Sequence, residues 1–160
     1  MLTACAASPV DNDKHNGALN FHILASDDKQ PHTYYNLDKT WEIDVSLIQT
    51  QAKPKTYFYD FTIRSSQQAF TVQELKFKFG AYGKWRNIKP DLYLDKTATE
   101  NPSQNISLKN FPITIKKTGL AHHQTLNLTV IDAQKQQQQL NLIFGVNKCI
   151  SRNEKEFLCF

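Results

Sequence analysis

Glycine is scarce, with five in 160 residues. Loops that wrap phosphates, and the sharp elbows that expose a nucleophilic serine, are built from glycine. No such motif is spelled here. Long apolar runs are missing too, so nothing reaches the roughly 20 apolar residues that a membrane-spanning helix needs. A single methionine argues against a methionine-rich copper site, and the five histidines show no His-x-His or His-Glu-x-x-His spacing. Nor is one sign of charge concentrated: 19 Lys and Arg face 15 Asp and Glu, a formal net charge of +4. That tolerates an anionic neighbour without requiring one, and nucleic-acid domains gather basic charge more strongly. No enzyme, no cofactor and no nucleic-acid ligand is therefore expected.

What is present is material for one core. Hydrophobic residues make up 40% of the chain, with 10 Phe and 6 Tyr, and this length defaults to one domain that can bury a core unaided. Period-two alternation dominates the pattern. Trp41, Ile43, Val45 and Leu47 alternate with Glu42, Asp44 and Ser46. Tyr57, Tyr59, Phe61 and Ile63 alternate with Phe58, Asp60, Thr62 and Arg64, and Leu75, Phe77 and Phe79 with Glu74, Lys76 and Lys78. Leu126, Leu128 and Val130 repeat the pattern, as do Leu140, Leu142 and Phe144. Each run reads as a strand with one face in a core and one in water.

Leu19–Leu24 is expected as a first strand, Asn105–Leu108 as a short one, and Phe111, Ile113 and Ile115 as another beside Pro112. About eight strands then predict an all-β fold, an antiparallel two-sheet sandwich of immunoglobulin-like architecture. Residues 18–160 form that single domain and residues 1–17 a flexible tether. Gln124–Val146 reads as a closing hairpin with Asp132–Gln138 as its loop, which absorbs the glutamine run. Gly80–Gln104 is the least regular stretch and long for a connection, so it is a candidate for function. A short helix or an edge strand inside it is equally allowed.

The three cysteines are Cys5, Cys149 and Cys159. The last two enclose nine residues with a polar middle, the shape of a small loop stapled at its base. Closing such a loop stabilises by about 3 kcal/mol in the chain-entropy model. The spacing is not the Cys-x-x-Cys of redox-active pairs, so a structural disulfide in an oxidising compartment is expected. Cys5 is then odd.

The chain opens Met1-Leu2-Thr3-Ala4-Cys5. Leu2-Thr3-Ala4-Cys5 resembles the lipobox of bacterial lipoproteins. That resemblance implies acylation of the Cys5 thiol, cleavage before it, and attachment to a membrane through the lipid. Ala6 in place of aspartate implies, by the same likeness, the outer membrane, with the domain facing the periplasm or cell surface. The signal sequence that should precede a lipobox is reduced to Met1, as when a sequence begins inside its signal peptide. The sandwich lipoprotein of type VI secretion has a similar size and anchor, but none of its motifs is matched.

Two segments remain to be weighed for chemistry. His122 and His123 are adjacent, so in a strand they point to opposite faces and could share a metal only in a turn. They are weak metal candidates, and a solvated loop is the plainer reading. Lys76–Lys89 interleaves basic and aromatic residues, as surfaces facing anionic ligands do. Alternation assigns Phe77 and Phe79 to the core, leaving Tyr82, Lys84, Trp85, Arg86 and Lys89 as the candidate binding patch. Trp and Arg also favour protein interfaces.

The expectation is a non-catalytic envelope lipoprotein that binds another envelope or extracellular protein, as an accessory subunit, adhesin or inhibitor. The alternative is a periplasmic small-ligand or metal-binding protein using Tyr82–Lys89 or His122 and His123. Asn105-Ile106-Ser107 and Asn127-Leu128-Thr129 fit the glycosylation triplet, which would matter only in a eukaryotic secreted protein.

Overall fold

A computed structural model describes residues 12–13, 17–25, 29–53, 56–79, 83–114, 124–146, 149–153 and 156–159. Among them run twelve strands: β1 (Asn12–Asp13), β2 (Ala18–Ala25), β3 (His32–Tyr35), β4 (Trp41–Gln51), β5 (Thr56–Ser65), β6 (Phe70–Phe79), β7 (Arg86–Ile88), β8 (Asn105–Thr114), β9 (Gln124–Asp132), β10 (Gln137–Val146), β11 (Cys149–Asn153) and β12 (Glu156–Cys159). One short helix, α1 (Lys96–Glu100), and a 3-10 turn over Pro90–Leu92 lie between β7 and β8. The chain is all-β.

One sheet has the order β1-β2-β10-β9-β6-β7 and the other β3-β4-β5-β8, with β11 and β12 forming a separate hairpin. Their apolar faces meet in one core. Trp41 of β4 meets Phe70 of β6 edge-on at 4.9 Å between ring centroids, and Phe61 of β5 lies 5.4 Å from Phe144 of β10. Tyr59 of β5 stacks on Phe144 at 6.2 Å, and Phe77 of β6 meets Phe111 of β8 at 6.5 Å. Each such ring buries enough apolar area to contribute on the order of 2 kcal/mol or more.

The alternation read from β4 and β5 holds in place: Trp41, Ile43, Val45, Leu47, Tyr57, Tyr59, Phe61 and Ile63 are all buried. Three expectations need correction. The sandwich is not wholly antiparallel, because β2 pairs with β10 in parallel, from Ala18 opposite Gln139 to Ala25 opposite Val146. The two strands come from opposite ends of the domain, so no hairpin dictates their direction.

β9 is not half in water. Thr125, Asn127 and Thr129 on its outer face are only 7%, 7% and 5% exposed. Their side chains sit in register between Lys78, Lys76 and Glu74 on β6 and Ile143, Asn141 and Gln139 on β10. The amides there link across three strands: Asn127 Nδ2 donates to Asn141 Oδ1 at 2.6 Å, and Asn141 Nδ2 to Asn20 Oδ1 at 2.8 Å.

The segments expected as two strands around Asn105–Thr114 are one. Lys109 and Asn110 bulge opposite Asp60, Asn110 turns left-handed at φ 54, and its N–H donates to Asp60 Oδ1 at 2.8 Å. The bulge adds one residue, so Leu108 and Phe111 both face inward, three apart in sequence. Pro112 lies in this edge strand, where its missing N–H costs nothing.

Within residues 1–17, expected to hold the lipobox remnant and a flexible tether, Asn12 and Asp13 pair with Leu19 and Ala18. The hairpin read over Gln124–Val146 stands. Asp132 closes its turn: its carboxylate accepts the Gln136 N–H at 2.8 Å, and Lys135 takes φ 60. Of the glutamine run, Gln136 belongs to the turn and Gln137, Gln138 and Gln139 open β10.

Candidate functional site

The stretch read as irregular, Gly80–Gln104, holds both structures that the sequence left open. Arg86–Ile88 is an edge strand and Lys96–Glu100 a helix. Asp95 caps that helix, its carboxylate accepting from Thr97 N at 3.3 Å. β7 pairs with β6 through Ile88 opposite Leu75, Asn87 opposite Lys76 and Arg86 opposite Phe77. Ile88 packs against the core, as does Tyr93, whose ring meets Phe111 at 4.8 Å. The edge is therefore held from behind by apolar contacts.

Gly83, ahead of β7, lies close against the end of β6. A Cβ added at Gly83 would lie 1.9 Å from the Phe79 carbonyl oxygen, so only glycine allows this approach. Trp85 lies against Lys78, whose ammonium is 4.7 Å from the ring centroid. A cation over an indole at that distance contributes about 0.5–1 kcal/mol at an exposed site. Trp85 remains 44% exposed, so its ring is oriented but not covered.

Of the residues read as a binding patch, Lys84, Trp85, Arg86 and Lys89 lie together on this edge, and all four are exposed. Tyr82 lies outside the described residues. Lys78 was read only as the solvated side of a strand, yet it is the residue that orients Trp85. Phe79, assigned to the core, is 37% exposed, while its ring rests edge-on against Phe77 at 4.7 Å. It ends β6, where the sandwich stops covering it. Lys76 pairs with Glu74 at 3.2 Å. Among the described residues no carboxylate lies within ion-pair distance of Lys78, Lys84, Arg86 or Lys89.

Other polar side chains are engaged in holding the fold. Asn36, buried in the β3–β4 turn, accepts the Trp41 N–H at 2.8 Å and donates to Asp38 and Thr40, each at 2.8 Å. Hydrogen bonds from the Thr40 hydroxyl and N–H hold the Asp38 carboxyl below the ordinary aspartate range. On the four-stranded sheet Arg64 bridges Asp44 and Glu42, and its bond to Asp44 holds the guanidinium proton more firmly than usual. A cleft of about 240 Å³ between α1 and β8 is lined by Asp95, Thr97, Asn101, Ser103, Asn105 and Ser107. No sequence signal pointed to it, because its polar residues are ordinary turn formers.

Among the described residues no group of three His, Cys, Asp or Glu is placed to hold a metal; His122 and His123 lie outside those residues, as does Cys5. Cys149 and Cys159 stand opposite each other in the β11–β12 register. A Ser-x-x-Lys spacing, Ser26 to Lys29, follows β2, and its serine also lies outside the described residues. Of the two glycosylation triplets, Asn105 is exposed at the start of β8, whereas Asn127 is buried and bonded to Asn141. Comparison of the chain with protein-family models, curated proteins and solved structures finds no match.

Proposed function

We propose that this chain is a non-catalytic protein-binding module of the bacterial cell envelope, lipid-anchored through Cys5, that meets its partner on the β6–β7 edge. The observation that carries the reading is Trp85. It is a large aromatic left open to solvent, oriented by Lys78, backed by core contacts of Ile88 and flanked by cations that have no acidic partner among the described residues. Exposed Trp and Arg on a stiff support are the usual anchors of protein interfaces. The non-catalytic half rests on where the polar groups go: Asn36, Asp60, Asn127 and Asp132 each serve a turn, a bulge or a sheet.

The finer architecture in this reading is immunoglobulin-like. β4, β5 and β8 stand where strands A, B and E would, and β6, β7, β9 and β10 where C, C′, F and G would. The connection holding α1 takes the place of strand D. An oxidising compartment is supported by the register of Cys149 and Cys159, since directly opposed antiparallel residues bring their Cα atoms within disulfide range.

The test is a photo-crosslinking amino acid at position 85 in the anchored protein in intact cells, with position 48 as control. Ile48 is a 49% exposed apolar residue on the other sheet. A discrete protein adduct at 85 and none at 48 is expected. No adduct at 85, or the same adduct at both, contradicts the reading. Mass spectrometry of the mature N-terminus should find Cys5 acylated; an unmodified Cys5 removes the anchor.

A further inference from the structure

We propose that the outer edge of β7 takes up an extended, carboxylate-bearing segment of the partner as an added antiparallel or parallel strand. This rests on the protein-binding reading above and gives its mode and chemistry. β7 ends the six-stranded sheet and pairs with β6 on one side only. In an antiparallel pair, alternate residues turn their N–H and C=O away from the neighbour. At least one of Arg86, Asn87 and Ile88 therefore presents both groups outward, and no described residue bonds to them.

Unpaired strand edges invite another chain, and folded proteins block them where no chain is wanted. Here β8, an edge of the other sheet, is blocked. Leu94 bridges to Leu108, the Lys109 N–H donates to the Tyr93 carbonyl at 2.9 Å, and Pro112 offers no donor. β7 carries no such bridge, hydrogen bond or proline among the described residues, and only its shortness and its charge guard it. β3 is also an edge, but its four residues, His32–Tyr35, carry no Lys or Arg.

The side chains beside β7 select what could pair there. Arg86 lies on the strand, Lys84 and Lys89 flank it, and Lys78 stands one strand behind under the Trp85 ring. Glu74 already engages Lys76. An incoming strand repeats its side chains on each face about every 7 Å. The β6–β7 register puts Arg86 on the face of Phe77 and the Lys78–Trp85 pair on the other face, so carboxylates at alternate positions would meet Arg86 on one face while the backbone pairs with β7 and an apolar group rests on Trp85 on the other. Strand addition draws affinity from the main chain and specificity from the alternate side chains. A lipid headgroup or a nucleic-acid strand would satisfy the cations but not the amide edge.

The experiment uses ¹⁵N-labelled full-length protein titrated with a blocked peptide, Glu-Thr-Glu-Val-Glu-Thr-Glu. Its lysine counterpart, vesicles of phosphatidylglycerol and phosphatidylethanolamine, and oligo-dT serve as comparisons. The acidic peptide should shift the amides of Arg86–Lys89 and the Trp85 indole, and slow exchange of the outward N–H of β7. The exposed double variant Arg86→Glu/Lys89→Glu should weaken binding by about tenfold or more, at least 1.4 kcal/mol. The inference is overturned if the acidic peptide gives no shift at β7, if the lysine peptide matches it, or if only vesicles or oligo-dT shift these signals. A failed peptide with a crosslink at position 85 leaves protein binding standing and removes strand addition. Failure of both removes both.

Discussion

Single polar residues do more for this fold than their composition suggests. Asn36 is the clearest: one buried amide accepts the Trp41 N–H and donates to Asp38 and Thr40, fixing the turn that aims Trp41 into the core. Removing the acceptor leaves a buried N–H unsatisfied, which costs on the order of 2 kcal/mol. Asn36→Ala should therefore lower the unfolding free energy by that amount, read as a lower urea midpoint with an unchanged m-value. A change within error would mean that the turn holds without the amide. Nothing in the sequence singled out Asn36, because asparagine is common in turns and its burial depends on where Trp41 goes. Alternation puts Asp60 on the solvent face of its strand. It does face Lys109 at 3.5 Å, but its main partner is the Asn110 N–H, a backbone donor that no pairing of side-chain charges could disclose.

At the scale of elements, alternation placed the faces of β4 and β5 correctly because a half-buried strand must alternate whatever its partners are. It failed where a neighbour intervened. β8 was split in two because a bulge breaks the period, and a bulge is set by the opposing strand. β9 was given a wet face because its shielding comes from side chains on β6 and β10. The β6–β7 connection is the element on which the proposed site depends. Gly83→Ala forces a Cβ against the Phe79 backbone oxygen, a clash of the overpacking kind that costs about 1–3 kcal/mol. Faster amide exchange at Arg86–Ile88 and a displaced Trp85 indole signal are the expected results. Unchanged protection of β7 would show that position 83 tolerates a side chain.

At the scale of the molecule, two sheets share one aromatic core, and the strand order brings β2 and β10, from opposite ends of the domain, side by side. Composition and period carried the two-sheet reading. They could not carry sheet order or the parallel β2–β10 pair, which depend on contacts 121 residues apart, such as that between Asn20 and Asn141. The candidate patch was legible as basic and aromatic composition in Lys76–Lys89. Its organisation was not: that Trp85 lies on Lys78, and that Arg86 falls on an unblocked edge, follow only from the register of β6 and β7. The proposed function depends on that edge being where a partner protein binds. The most direct measurement is the affinity of purified full-length protein for the protein crosslinked at position 85, compared with its Trp85→Ala and Ile48→Ala variants. Loss of a central aromatic anchor predicts a drop of about 30-fold or more for Trp85→Ala and no change for Ile48→Ala. Equal affinity for Trp85→Ala and the unaltered protein would contradict the claim.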